Sequence, residues 1–193
     1  MAPIRRLLPA LLLLLFVISD VATSSSSNDN CVYTVYVRTG SIIKGGTDSK
    51  ISLTISDSSY RPGVHVKDLE SWGLMPDGHD YYERGNLDIF SGRGRCLDGP
   101  ICYLNLTSDG TGPHHGWYCE YVEVTATGPH LGCSQTIFYV RQWLALDAPP
   151  YRLDSIINGC AAAADSHAKR GRSTFYGENA LGRDGVEASS SSS

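Results

Sequence analysis

The side chains with chemical potential in this sequence fall in turns. Asp48 closes the run Gly45-Gly46-Thr47-Asp48, Asp109 follows Thr107-Ser108, and His114-His115 stand between Pro113 and Gly116. Loop carboxylates are hard oxygen ligands, and calcium gathers roughly six to eight oxygens from carboxylates, carbonyls and water. Asp48 and Asp109 are therefore candidate calcium ligands, on condition that their turns share one end of the fold; Asp77 and Asp80 are weaker additions. The competing role is structural, because a turn aspartate accepts hydrogen bonds from nearby backbone N–H groups. The dense Asp/Asn loop of a strong calcium site is absent. Paired loop histidines suit a metal or an acidic partner and gain charge on mild acidification, yet no spacing supplies further metal ligands. A His–Asp pairing with Ser108 is conceivable by proximity alone, without a nucleophile-elbow pattern. The expectation is a protein that is not an enzyme.

Other residues point to modification, cross-linking and surface contact. Asn105-Leu106-Thr107 is an N-glycosylation sequon. Cys102, Leu104 and Leu106 alternate with Tyr103, Asn105 and Thr107, which sets the acceptor on the polar parity of a strand. The six cysteines are Cys31, Cys96, Cys102, Cys119, Cys133 and Cys160. An even number in an exported chain suggests about three disulfides, with roughly 15 pairings open. Cys96 and Cys102 could close a small loop, while Cys31 and Cys160 bracket the patterned region. Trp72, Leu74 and Met75 lie in an irregular stretch broken by Gly73 and Pro76. They are candidates for membrane contact, since aromatic rings favour the interfacial zone; the alternative packs Trp72 and Leu74 beneath the sheets as a plug. Trp117, Trp143, Tyr82, Phe90 and Phe138 are expected in the core. Arg84, Arg93 and Arg95 make at most a modest basic patch.

The elements that must position these residues are strands. Period-2 alternation marks Cys31 to Thr39, Ser49 to Ser56 and Cys102 to Thr107, while strand propensity marks a short piece at Val64 and Val66, Leu87 to Ser91, Trp117 to Thr125 and Ser134 to Leu144. Gly/Pro/Asp turns separate them, and Lys67 to Leu74 suits a single helical turn. Short strands at this spacing predict an all-β fold, an antiparallel β-sandwich. Ahead of it, Arg5-Arg6 and the apolar run Leu7 to Ile18 read as a secretory signal peptide over 1–23, with cleavage after Ser19, Ala22 or Thr23 open. That run is shorter than the roughly 20 residues of a membrane span, so no transmembrane anchor is expected. A polar spacer (24–30), the sandwich (31–158) and a flexible tail (159–193), poor in apolar periodicity, complete the division. The formal charge of −4 and the lack of a basic cluster argue against nucleic-acid binding.

Gly46-Thr47-Asp48, Tyr82-Glu83-Arg84-Gly85-Asn86-Leu87-Asp88-Ile89-Phe90, Leu104-Asn105-Leu106-Thr107-Ser108-Asp109, Gly116-Trp117-Tyr118 and Val122-Glu123-Val124 together carry a family likeness. The stretch from Cys31 to Leu146 resembles the PLAT/LH2 domain, and most closely the plant proteins made of one such domain, the PLAT-plant-stress and embryo-specific protein 3-like groups. The resemblance implies an eight-stranded sandwich of two four-stranded sheets. It implies association with membrane lipid or with another secretory-pathway protein, in the endoplasmic reticulum lumen or outside the cell, often in stress responses. Some domains of the family bind calcium in loops at one end; the corresponding Gly-Thr-Asp turn falls on Gly46, Thr47 and Asp48, and the strand-end aspartate on Asp109. Lipoxygenases and lipases hold their chemistry in a separate domain, so the likeness implies a binding module.

Overall fold

Alternating burial builds the architecture. A computed structural model describes residues 31–59, 62–129, 131–161 and 173–176; the expected signal segment and spacer lie outside them. β1 (Cys31–Thr39) buries every second side chain, from Cys31 through Tyr33, Val35 and Val37. β2 (Ile51–Ser56) and β5 (Tyr103–Ser108) do the same with Ile51, Leu53, Ile55, Leu104 and Leu106. The remaining strands are β3 (Val64–Val66), β4 (Leu87–Gly94), β6 (Trp117–Gly128), β7 (Leu131–Leu144), β8 (Asp154–Asn158) and β9 (Ser173–Tyr176). Their order is β4-β1-β6-β7-β9 in one sheet and β3-β2-β5-β8 in the other. The inner faces meet in one apolar core that includes Trp117, Phe90, Phe138 and Tyr82.

The two antiparallel four-stranded sheets implied by the family resemblance are therefore present, and β9 adds a fifth strand to the first sheet. β9 runs parallel to β7, with Thr136 opposite Ser173 and Tyr139 opposite Tyr176. It is drawn from the tail, whose composition gives no sign of a strand. β8 also lies past the last strand that the pattern announces; only Ser155 and Ile157 turn inward, too few for a period to show. β4 continues to Gly94, three residues past the strand end expected at Ser91.

The segment between β3 and β4 plugs the open flank. A single 3₁₀ turn, Leu69–Trp72, is capped by the Asp68 carboxylate, which accepts the Glu70 N–H. It brings Trp72 onto β4 at Gly92, where a Cβ would lie 2.0 Å from the indole Cε2. The absent side chain is the space that the ring fills. Gly73 then bridges to Phe90, and the Leu74 N–H donates to the Ile89 carbonyl at 2.9 Å.

Two disulfides form among the described residues, Cys31–Cys96 and Cys102–Cys160, and they tie down the end of the sandwich where β1 begins and β8 finishes. The expectation of three is corrected, since Cys119 and Cys133 are free. Cys119 faces the core opposite Gln142, whereas Cys133 precedes Ser134, which pairs with Ala126 at the far end of β6. Some nine strand residues, roughly 30 Å, separate the two thiols. A small Cys96–Cys102 loop is also excluded, because each of these cysteines takes a distant partner.

Candidate functional site

Loops 40–50, 81–86, 109–116 and 145–153 gather at the end opposite the disulfides. Their backbones are laced together. The His114 carbonyl accepts the Asp48 N–H at 3.2 Å and the Thr47 hydroxyl at 2.7 Å, and the Thr111 carbonyl accepts the Ser49 hydroxyl at 2.6 Å. Gly46 lies so close to the 81–86 turn that a Cβ would stand 3.0 Å from the Arg84 nitrogen. That turn is held from below by Asp88, fully buried, which accepts the Tyr82 N–H and pairs with His79 Nε2, both at 2.7 Å.

Between the loops lies an open cleft of about 670 Å³, lined among others by Ile43, Lys44, Arg84, His114, His115, Trp143 and Asp147. Ile43 in this lining is 79% exposed, and the turn that borders the cleft through Asp147 and Ala148 also exposes Leu146 (65%) and Tyr151 (63%). The charges are mixed: Lys44 and Arg84 are offset by Glu83 and Asp147. Two His–Asp contacts span the loops, His114 Nδ1 to Asp48 Oδ2 at 2.9 Å and His115 Nε2 to Asp147 Oδ2 at 4.0 Å.

The candidate calcium ligands do share this end, as their role requires, but each carboxylate has a structural partner. Asp48 faces His114. Asp109 Oδ1 accepts the Lys50 N–H at 3.1 Å, the Thr111 N–H at 3.0 Å and the Thr111 hydroxyl at 2.8 Å. Partial desolvation works against ionisation of Asp109, yet these hydrogen bonds from Thr111 and Lys50 outweigh it and hold the carboxyl below its ordinary value of 3.8. Among the described residues no three His, Cys, Asp or Glu side chains converge as a metal would need. Calcium bound here would take most of its oxygens from backbone carbonyls and water. Ser108, the last residue of β5, is buried, its hydroxyl accepts the Gly110 N–H at 3.2 Å, and it does not line the histidines' cleft.

Comparison with known proteins places this arrangement. Residues 18–146 match the family model "Embryo-specific protein 3, (ATS3)". PLAT domain-containing protein 1 of Arabidopsis thaliana is 54% identical over 159 residues, covering 81% of this chain and 86% of that protein. PLAT domain-containing protein 2 of the same plant is 53% identical over 152 residues, covering 78% and 82%. The chain is a PLAT/LH2 protein of the embryo-specific protein 3 family. Among solved structures, the coral 8R-lipoxygenase aligns with a TM-score of 0.47 at 22% identity, over 65% of this chain and 16% of the enzyme.

Within this PLAT sandwich the other expected site residues scatter. Trp72 is half-buried against β4, Met75 is half-buried with its N–H donating to the Tyr81 hydroxyl at 3.2 Å, and Leu74 is exposed on the flank beside Ile89. None of the three lines the cleft. Asn105 stands at the centre of the second sheet's outer face. Trp143 is a correction: Leu144 takes the inward position on β7, so strand parity sends Trp143 outward to the cleft wall, edge-on to Tyr118 at 5.6 Å. The arginine patch is another, since Arg84 sits at the cleft end while Arg93 and Arg95 lie at the far end of β4, where Arg95 Nε donates to the Pro62 carbonyl. The rim residues Ile43, Leu146 and Tyr151 were missed by sequence reasoning. The available signal was an isoleucine pair inside a glycine-bounded turn, a poor place to bury apolar surface.

Proposed function

We propose that this protein is a non-catalytic PLAT module of the secretory pathway that associates reversibly with membrane lipid through the loop rim around its cleft. The observation that supports this most directly is the exposure of Ile43, beside Lys44 and Arg84 in the cleft lining, together with that of Leu146 and Tyr151 on the turn that borders the cleft through Asp147 and Ala148. Transferring those three exposed side chains from water would contribute roughly 4 kcal/mol, enough for peripheral contact and far short of permanent anchoring. Because Glu83 and Asp147 offset the two cations, the apolar contribution dominates and binding depends little on lipid charge at neutral pH. Two disulfides suit the oxidising compartment that this role requires.

Co-sedimentation with vesicles of phosphatidylcholine, with and without phosphatidylserine, tests the proposal. The double variant Ile43→Asp, Leu146→Asp should lose at least tenfold in affinity, while Trp72→Ala, Met75→Ala, if folded, should keep most of it. Absence of binding to both vesicle types would defeat the reading. With the Asp109 carboxylate already accepting three hydrogen bonds, added calcium should change affinity less than the rim substitutions do.

A second reading, protein–protein association without lipid, is favoured by the outer face of the first sheet. Tyr36, Tyr118, Tyr121 and Trp143 are half-buried there with Arg38 between them, a residue mix enriched at protein interfaces. Loss of a recovered partner on Tyr36→Ala, with no vesicle binding by the parent chain, would select it.

A further inference from the structure

We propose that Asn105 carries an N-linked glycan whose first sugar covers the centre of the β3-β2-β5-β8 sheet's outer face. The fold builds the site. Leu104 and Leu106 are buried, so Tyr103, Asn105 and Thr107 share the outward parity of β5. The Thr107 hydroxyl donates to Asn105 Oδ1 at 3.3 Å, which engages the carbonyl oxygen and not the amide nitrogen that a sugar would take.

The surroundings fit a saccharide. Asn105 is flanked by Thr54 on β2 and by Ile156 on β8. Beyond Thr54 lies His65, joined to its hydroxyl through Nδ1 at 2.8 Å. Ser52, Ser56 and Thr107 add hydroxyls, and beyond Thr107 the face ends at Asp154, whose charge is paired with Arg152. One residue breaks the polar character: Ile156, on the edge strand β8 directly opposite Asn105, is 45% exposed. An N-acetylglucosamine ring has an apolar C–H face and a polar hydroxyl edge. Linked to Asn105, it would lay the first over Ile156 and leave the second to the hydroxyls of β2.

Chemically, the Asn105 Nδ2 attacks the anomeric carbon of a polyprenyl-diphosphate-linked oligosaccharide in the lumen. The new C–N bond replaces the C–O bond to diphosphate, which departs with the electron pair, and the amide loses one proton to the transferase's base. The chain order permits this. β5 precedes β6, β7 and β8 in synthesis, so the acceptor meets the transferase extended and without its β8 neighbour. The glycan leaves the loop rim and the outer face of the first sheet uncovered, so it is compatible with either reading of function and independent of both.

Secretion of the full chain from yeast, followed by intact-mass measurement, tests the inference. Peptide-N-glycosidase should remove one glycan and convert Asn105 to aspartate in the peptide map. Asn105→Gln and Thr107→Ala should abolish the modification, and Thr107→Ser should keep it. An exported, disulfide-bonded chain with unmodified Asn105 would overturn the site. For the covering role, trimming with endoglycosidase H leaves the first sugar and should preserve the thermal midpoint. The unglycosylated Asn105→Asp variant should melt lower, by a margin that shrinks in an Ile156→Ser background. Equal midpoints for the trimmed chain and the variant would sink that role.

Discussion

At the scale of single residues, aspartates fasten the loops by accepting N–H groups. Asp57 is buried and accepts the Ser59 and Gly99 N–H groups, each at 2.8 Å. Burial opposes its ionisation, but hydrogen bonds from Ser59, Gly99 and Asp98 prevail and hold its carboxyl below the ordinary 3.8. The folded value is thus lower than the unfolded one, so the stabilisation is complete above about pH 4 and is lost as pH falls through the folded value. Asp109 contributes in the same sense. The urea midpoint should therefore drop below about pH 4, and Asp57→Asn should flatten that acid limb while costing about 1–3 kcal/mol at neutral pH. An unchanged acid limb in the variant would refute the assignment. The turn role of Asp109 could be read from residue type and position. The exposure of Ile43 was signalled only by its place in a glycine-bounded turn, since the sequence does not show which neighbours will leave a turn side chain uncovered.

At the scale of elements, the plug depends on one complementarity, the Trp72 indole over a glycine of β4. Gly92→Ala places a methyl in the ring's position. Overpacking of this kind costs about 1–3 kcal/mol and should expel the indole, shifting tryptophan emission to the red. Trp72→Ala should cost roughly 2–4 kcal/mol through the void it leaves. Combined, the two changes should cost less than their sum, since the alanine methyl meets no ring once the indole is gone. Strict additivity in urea unfolding would show that the contact is not the one described. The sequence marked a helical turn here and offered burial of Trp72 as one of two roles. Its partner stayed hidden, because Gly92 in the run Ser91-Gly92-Arg93-Gly94 looks like loop punctuation until strand register places it under the ring.

At the scale of the molecule, the period-2 pattern was enough to specify a sandwich, since alternate burial leaves a strand few other ways to hide one face. Cysteine pairing was not, because it depends on which strand ends meet. Closing loops of 65 and 58 residues stabilises the fold by about 4 kcal/mol each in the chain-entropy view. The two thiols left over should behave differently. Cys133 is exposed, whereas burial of Cys119 pushes its thiol well above the usual range. Titration with an aromatic disulfide reagent at pH 8 should find one thiol in the native protein, two in denaturant and six after reduction. Silent native protein, or no rise in denaturant, would contradict the pairing.

The ninth strand closes the account of the borders. An uncovered sheet margin offers its N–H and C=O groups to any extended chain, including another copy of itself. The margin beside β4 is shielded by the segment through Gly73, and β3 is only three residues long. β7 is the longest strand described, and Ser173–Tyr176 occupies its margin from Thr136 to Tyr139. The margin of the longest strand is thus occupied by a stretch that lies beyond the span matched by the family model.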